Sequence, residues 1–239
     1  LLHFQNMDIQ LSMVTLDLEK LAEAKKVQQK IISNNKMEWL ISLEEYIKAG
    51  VHIGTKIKTK DMKKYVARIR SDGLAIIDIT KTDEKLRILT KFLSKYEPEE
   101  ILVVGRRETA RKPLIMLNKY TKILSYPGRY PPGMLTNISL KNFKDVEVVV
   151  VTDPIFDKNA LLDAFKTGKI IVGLVDTNNT LKYIDYAVPC NNRGAKSLAL
   201  IYYLITREYM RNKGLIPRKG DLGVNYLAFA ETEIEEEEV

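Results

Sequence analysis

The chain has 239 residues, 45% of them hydrophobic, with a formal net charge of +7. That length supports one domain with a substantial core. No apolar run reaches the ~18 residues of a membrane-spanning helix, and a single cysteine, Cys190, excludes an intrachain disulfide and a CxxC metal knuckle, as suits a reducing cytosol.

Residues 1–36 read as an N-terminal extension. Leu1 to Asn6 lacks the basic-then-apolar grading of a secretory signal, and Met7 and Met13 are candidate starts. An amphipathic helix is expected from Thr15 to Ile32, with Leu18, Leu21 and Ala22 on one face and Lys25, Lys26 and Lys30 on the other. It either docks on a partner or stays solvated. Residues 37–230 read as one α/β domain, and 231–239 as an acidic, disordered tail containing six glutamates. Without those glutamates the balance rises to +13, which favours polyanionic partners.

A short helix is expected from Leu43 to Gly50. A glycine-flanked loop follows that carries Lys56, Lys58 and Lys60, then Lys63, Lys64, Arg68 and Arg70. Ammonium groups on such a loop stay in water unless an anion arrives. From here apolar runs alternate with helical periodicity. Strands are expected at Leu74 to Ile79, Ile101 to Val104, Lys122 to Leu124, Val146 to Val151, Ile170 to Val175 and Asp185 to Val188. Helices are expected from Asp83 to Tyr96 with Thr82 as N-cap, Thr109 to Tyr120, Asn159 to Phe165, and Ala195 to Lys213, the last stopped by Gly214 before Pro217. Strands apolar on both faces and alternating with helices define a three-layer, doubly wound parallel α/β sheet.

Arg129 to Asn137 stands apart from this rhythm. Pro131 and Pro132 fix φ and remove two backbone donors, with Pro127, Gly128 and Gly133 closing in on the segment. It is either a stiff connector between strands or a loop held in shape for recognition.

Ligands of such sheets collect at the carboxyl ends of the strands, where this chain has Asp78, Gly105, Asp153 and Asp176. Three aspartates there could hold Mg²⁺ for phosphoryl transfer. Against this, Asp153 before Pro154 is the pattern of a helix N-cap with proline at the first helical position, and Asp176 opens an Asx turn. Gly105-Arg106-Arg107-Glu108-Thr109 lacks the further glycines of a dinucleotide loop, and two histidines are too few for a histidine metal cluster. Cys190 after Pro189 reads as an inert packed thiol.

The basic residues fall in loops and helix ends: Lys56 to Lys64 with Arg68; Arg106, Arg107 and Arg111; Arg129 beside Tyr130 and Asn137; and Arg193 and Lys196 beside Asn191 and Asn192. Cations neutralise phosphates, while Asn and Tyr can address 2′-hydroxyls and exposed bases, so these residues form the candidate RNA-binding set.

Several motifs carry a family resemblance. They are Gly50-Val51-His52-Ile53-Gly54-Thr55, Arg70-Ser71-Asp72-Gly73, Thr152-Asp153-Pro154, Asp176-Thr177-Asn178 and Pro189-Cys190-Asn191-Asn192-Arg193-Gly194. With them goes an Arg-aromatic-x-x-Gly-x-Leu-Thr-Asn signature at Arg129, Tyr130, Gly133, Leu135, Thr136 and Asn137. In this order, from about Leu43 to Ile216, the chain resembles the S-two family of small-subunit ribosomal proteins. The match is to its archaeal branch, without room for the helical hairpin of bacterial members. Pro131, Met134 and Cys190 depart from the usual archaeal pattern.

The resemblance implies a flavodoxin-like sheet of about five parallel strands without flavin or other cofactor, and no catalysis. It implies partners in small-subunit ribosomal RNA and neighbouring ribosomal proteins, between head and body, on cytoplasmic ribosomes. Neither a membrane, a small-molecule substrate nor a second copy of the chain is expected as partner. Arg129, Tyr130 and Asn137 are expected to be held ready for RNA, unless the stiff segment only braces the edge while Lys56 to Lys64 makes the contacts.

Overall fold

The computed structural model describes residues 39–230; the expected Thr15 to Ile32 helix and the acidic tail lie outside the described residues. After helix α1 (Leu43–Lys48) come strands β1 (Val66–Ile69) and β2 (Ala75–Ile77) and helix α2 (Ile79–Leu93). Then follow β3 (Ile101–Gly105), α3 (Glu108–Thr121), β4 (Leu124–Pro127), β5 (Val148–Val151), α4 (Lys158–Lys166), β6 (Ile170–Val175), β7 (Tyr186–Pro189) and α5 (Ala195–Asn212). Strands β3 to β7 form one parallel sheet in the order β4-β3-β5-β6-β7. This is the flavodoxin order, and its topological switch point lies between β3 and β5.

The two central strands explain why the sheet must be covered on both sides. All residues of Ile101–Gly105 and Val148–Val151 are buried, in register from Ile101 opposite Val148 to Val104 opposite Val151. Leu102, Val104, Val149 and Val151 pack on one face against Ala160, Leu161 and Ala164 of α4. With period-2 alternation, their neighbours turn to the other face. There α5 packs against both α2 and α3.

The crossover from β4 to β5 has no helix. Its place over the sheet is taken by the stiff segment, whose Tyr130, Met134 and Leu135 are buried in the same cluster as the α4 face. The segment is thus a layer of the fold as well as a connection. Gly133 takes φ 92°, the left-handed region that a side chain disfavours.

Four expectations need correction. The Leu74 to Ile79 run contributes only Ala75–Ile77, which joins Val66–Ile69 in a separate antiparallel pair, outside the parallel sheet. Gly73, at φ 84°, makes the turn between them, and Asp72 Oδ1 accepts from Leu74 N at 3.1 Å. Helix α2 begins four residues earlier than expected, because Asp78 is the N-cap, its Oδ1 accepting from Thr80 N at 3.0 Å. Thr82 is instead a buried helical residue that donates to Pro189 O at 2.7 Å. The third expected strand is displaced to Leu124–Pro127, since Lys122 at φ 62° is the left-handed cap ending α3. Asp153 does not cap α4: the helix starts at Lys158, after Asp157.

Candidate nucleic-acid interface

The lysine loop is fastened to the carboxyl edge of the sheet by threonines. Thr55 N donates to Thr177 Oγ1 at 2.9 Å, Thr59 N to Thr177 O at 3.0 Å, and Thr59 Oγ1 to Asn179 O at 2.7 Å. Thr177 and Asn179 lie just beyond the end of β6. A side chain on Gly54 would place its Cβ 2.6 Å from Thr177 Cγ2, so the close approach requires glycine. Asn191, after β7, donates from its backbone N to Val51 O at 3.0 Å and from Nδ2 to Gly50 O at 3.1 Å. The loop therefore projects from this edge with Lys56, Lys60, Lys63 and Lys64 exposed, and Arg68 exposed on β1. Lys58 is half-buried, its Nζ donating to Gly73 O at 3.0 Å.

At the switch point the crevice is filled by the protein's own side chains. Arg107 donates from Nε and Nη2 to Asp153 Oδ2, at 2.8 and 2.6 Å. Asp153 Oδ1 accepts from Ile155 N at 2.9 Å and from Asn179 Nδ2 at 3.2 Å. Asn192 Nδ2 donates to Asn179 Oδ1 at 3.1 Å and to Leu174 O at 3.0 Å. Asp157 receives Arg106 N on Oδ1 at 2.9 Å and Asp153 N on Oδ2 at 3.2 Å. Gly128 N donates to Gly105 O at 2.8 Å, which sets Arg129 beside the Arg106 turn.

Burial of Asp157 is the main cause that pushes its carboxyl up to about 6, against the hydrogen bonds that favour the anion. Its folded value thus lies above its unfolded one, so the native state binds the extra proton between pH ~4 and ~6, and stability falls as pH rises through that window. The contribution is about 3 kcal/mol at the two-unit difference. Urea titrations at pH 4.5 and 7 are expected to show about 2 kcal/mol of this loss in the native sequence and not in Asp157→Asn. An equal pH dependence in both would contradict the assignment. Burial likewise raises the carboxyl of Asp176, whose Oδ2 has Arg193 Nε at 3.6 Å.

The structure sorts the candidate residues into three groups. Lys56, Lys60, Lys63, Lys64, Arg68, Arg106, Arg111, Arg129, Asn137, Arg193 and Lys196 are exposed. Arg111 and Lys196 lie in the first turns of α3 and α5, the positive ends of helices that begin at this edge. Tyr130 and Asn192 are corrected: both are buried and unable to meet RNA in this conformation. Tyr130 belongs to the core cluster, its OH donating to Asp163 Oδ2 at 3.2 Å and accepting from Leu135 N at 3.2 Å. Asn191 and Arg107 are largely occupied within the edge, Asn191 Oδ1 accepting from Arg193 N and Gly194 N at 3.1 Å.

Two exposed residues at this edge were missed in the sequence. Ile155 is 51% and Phe156 47% exposed in the turn after β5. The signal was an apolar pair directly after Asp153-Pro154, where a turn has no core to fill.

These features define a doubly wound α/β protein with a self-filled switch point and a cationic carboxyl edge. A family model described as Ribosomal protein S2 matches residues 46–147 and 139–211. The chain is 56% identical over 202 residues to "Small ribosomal subunit protein uS2" of Nanoarchaeum equitans, covering 84% of this chain and all of that protein. The proteins of the same name from Methanococcus maripaludis and Staphylothermus marinus are 48% and 47% identical, covering 74% and 83% of this chain and 80% and 89% of theirs. The chain belongs to the ribosomal protein S2 family, as an archaeal-type protein of the small ribosomal subunit.

Proposed function

We propose that the carboxyl edge binds small-subunit ribosomal RNA by its phosphates and shape. In this reading a single copy clamps RNA helices from separate domains between head and body, beside neighbouring ribosomal proteins, during late assembly and translation. The observation that carries it is the convergence of cations from four distant stretches, Lys56 to Lys64, Arg106 with Arg111, Arg129, and Arg193 with Lys196, on one edge of the sheet. Phosphate contacts position a protein on RNA, and a rigid edge can offer them in a fixed pattern.

The reading includes no catalysis. Asp78 caps a helix, Asp153 holds Arg107, and Asp176 is 1% exposed with Thr177 N on its Oδ1 at 2.6 Å, so each of the three has a role within the fold.

Affinity for small-subunit RNA fragments measured against salt is the test. Contact with ~5 phosphates should give a log–log slope of about −3.5 to −4.5. Replacing both Lys60 and Arg129 by alanine should flatten it by roughly one per lost contact. A salt-independent affinity would overturn the proposal.

A further inference from the structure

A cavity of about 290 Å³ opens at the rim of the filled crevice, lined by Arg106, Arg107, Glu108, Thr109, Phe156 and Arg193. We propose that it holds one unstacked RNA nucleotide, its base against the ring of Phe156 and its phosphate between Arg106 and Arg193. The proposal rests on the RNA-binding reading above and adds to it a specific pocket and ligand class.

Three features point to a nucleotide rather than to a bare phosphate. First, Phe156 is 47% exposed, with the Arg107 guanidinium 4.0 Å from its ring centroid. A lone exposed apolar residue is ordinary. Here the covering cation is itself locked by two bonds to Asp153, so the ring carries a fixed neighbour while about half of the residue stays open to solvent. A base stacked on such a ring needs no rearrangement of the platform.

Second, the lining is chemically mixed. Arg106 is exposed and 44% of the Arg193 side chain is exposed, so both remain able to meet a phosphate. Glu108, with 79% of its side chain exposed, adds a carboxylate to the same rim. A carboxylate repels a second phosphate but accepts from the N–H groups on a base edge. Third, Thr109 in the lining has a buried Oγ1 with no hydrogen-bond partner, an unmet hydroxyl that a rotation of the side chain would turn to a ribose or base.

Paired bases inside an A-form helix cannot reach such a pocket. The ligand must come from a loop, bulge or strand end, where bases are free to splay out. The edge would then read helices by their phosphates and fix their register by one extruded nucleotide.

The full chain is to be titrated with a short single-stranded oligoribonucleotide and with a blunt RNA duplex of the same length. Phe156→Leu keeps an apolar side chain but loses the π-face; Phe156→Trp keeps it. The Leu variant is expected to lose about 5- to 150-fold in affinity for the single strand and nothing for the duplex, and the Trp variant to retain the native affinity. Ultraviolet crosslinking of the single strand should mark the peptide that contains Phe156. Native binding of the single strand by the Leu variant, an equal loss on both probes, or a crosslink confined to other peptides would overturn the pocket while leaving the salt-dependent binding of the edge intact. Failure of the native chain to bind either probe would overturn the wider RNA reading with it.

Discussion

Asp153→Asn is expected to lower the unfolding free energy by about 3–5 kcal/mol, the cost of leaving a buried charge without its partner. For a chain of this size that is roughly 6–20 °C in Tm. The magnitude follows from the position of the pair. The Asp153 side chain is 2% exposed and that of Arg107 20% exposed, so neither is well screened by water. Asp153 also accepts from Ile155 N and Asn179 Nδ2, and Asn179 in turn is bonded to Asn192 and to Asp176 N. An asparagine keeps the shape but presents one acceptor and no charge. Removing the stranded guanidinium as well, in Asp153→Asn with Arg107→Met, should recover part of the loss, because the double variant buries no unpaired ion. A loss under about 1 kcal/mol in the single variant would show that the pair behaves as an exposed one.

Tyr130→Ala is expected to cost about 3–5 kcal/mol by opening a cavity in the cluster formed with α4. Tyr130→Phe should cost about 1–2 kcal/mol, since it leaves Leu135 N without its acceptor and removes one donor from Asp163. Gly133 N also donates to Asp163 Oδ2, at 3.1 Å, so the carboxylate ties the proline segment to α4. The phenol is raised by burial and by the nearby Asp163 charge, which keeps it protonated as the donor in this network. Urea melts combined with RNA binding separate packing from recognition. Tyr130→Phe should weaken the fold and leave RNA affinity unchanged, while Arg129→Ala should lower affinity with little effect on stability. A loss of affinity in Tyr130→Phe at native stability would restore the contact role expected from the sequence.

Much of the fold was legible because buried parallel strands have few other solutions. Val148–Val151 is β-branched throughout and buried on both faces, and no other element fits that composition. The hairpin of Val66–Ile69 and Ala75–Ile77 was hidden for a physical reason. Its first strand, Val66-Ala67-Arg68-Ile69, is short and mostly exposed, so no apolar alternation announced it. The Ser71-Asp72-Gly73 turn between two short runs was the available signal. The cap of α2 was misplaced because Asp78 and Thr82 are both good N-cap residues, and only the fold decides which one faces Pro189.

For the interface, charge was easier to read than burial. Lysines and arginines stay at the surface whatever the fold, so most of them stand where the sequence placed them. Tyr130 and Asn192 were misread because their neighbours Arg129 and Arg193 are exposed while they are turned inward, a distinction that depends on the sheet beneath. Phe156 was the converse case, an aromatic residue left outside by a turn that the sequence read as a helix start.

The closed crevice between β3 and β5 also sets the thermal signature of association. In many open α/β proteins this crevice is wet, and a ligand dries it on binding. Here Arg107, Asp153, Asn179 and Asn192 already occupy it, so the apolar surface left to be covered at the proposed RNA edge is that of exposed side chains such as Ile57, Ile155 and Phe156. Calorimetry of RNA association should accordingly find a small negative heat-capacity change, well short of that of coupled folding, with the entropy of released counterions as the main driving force.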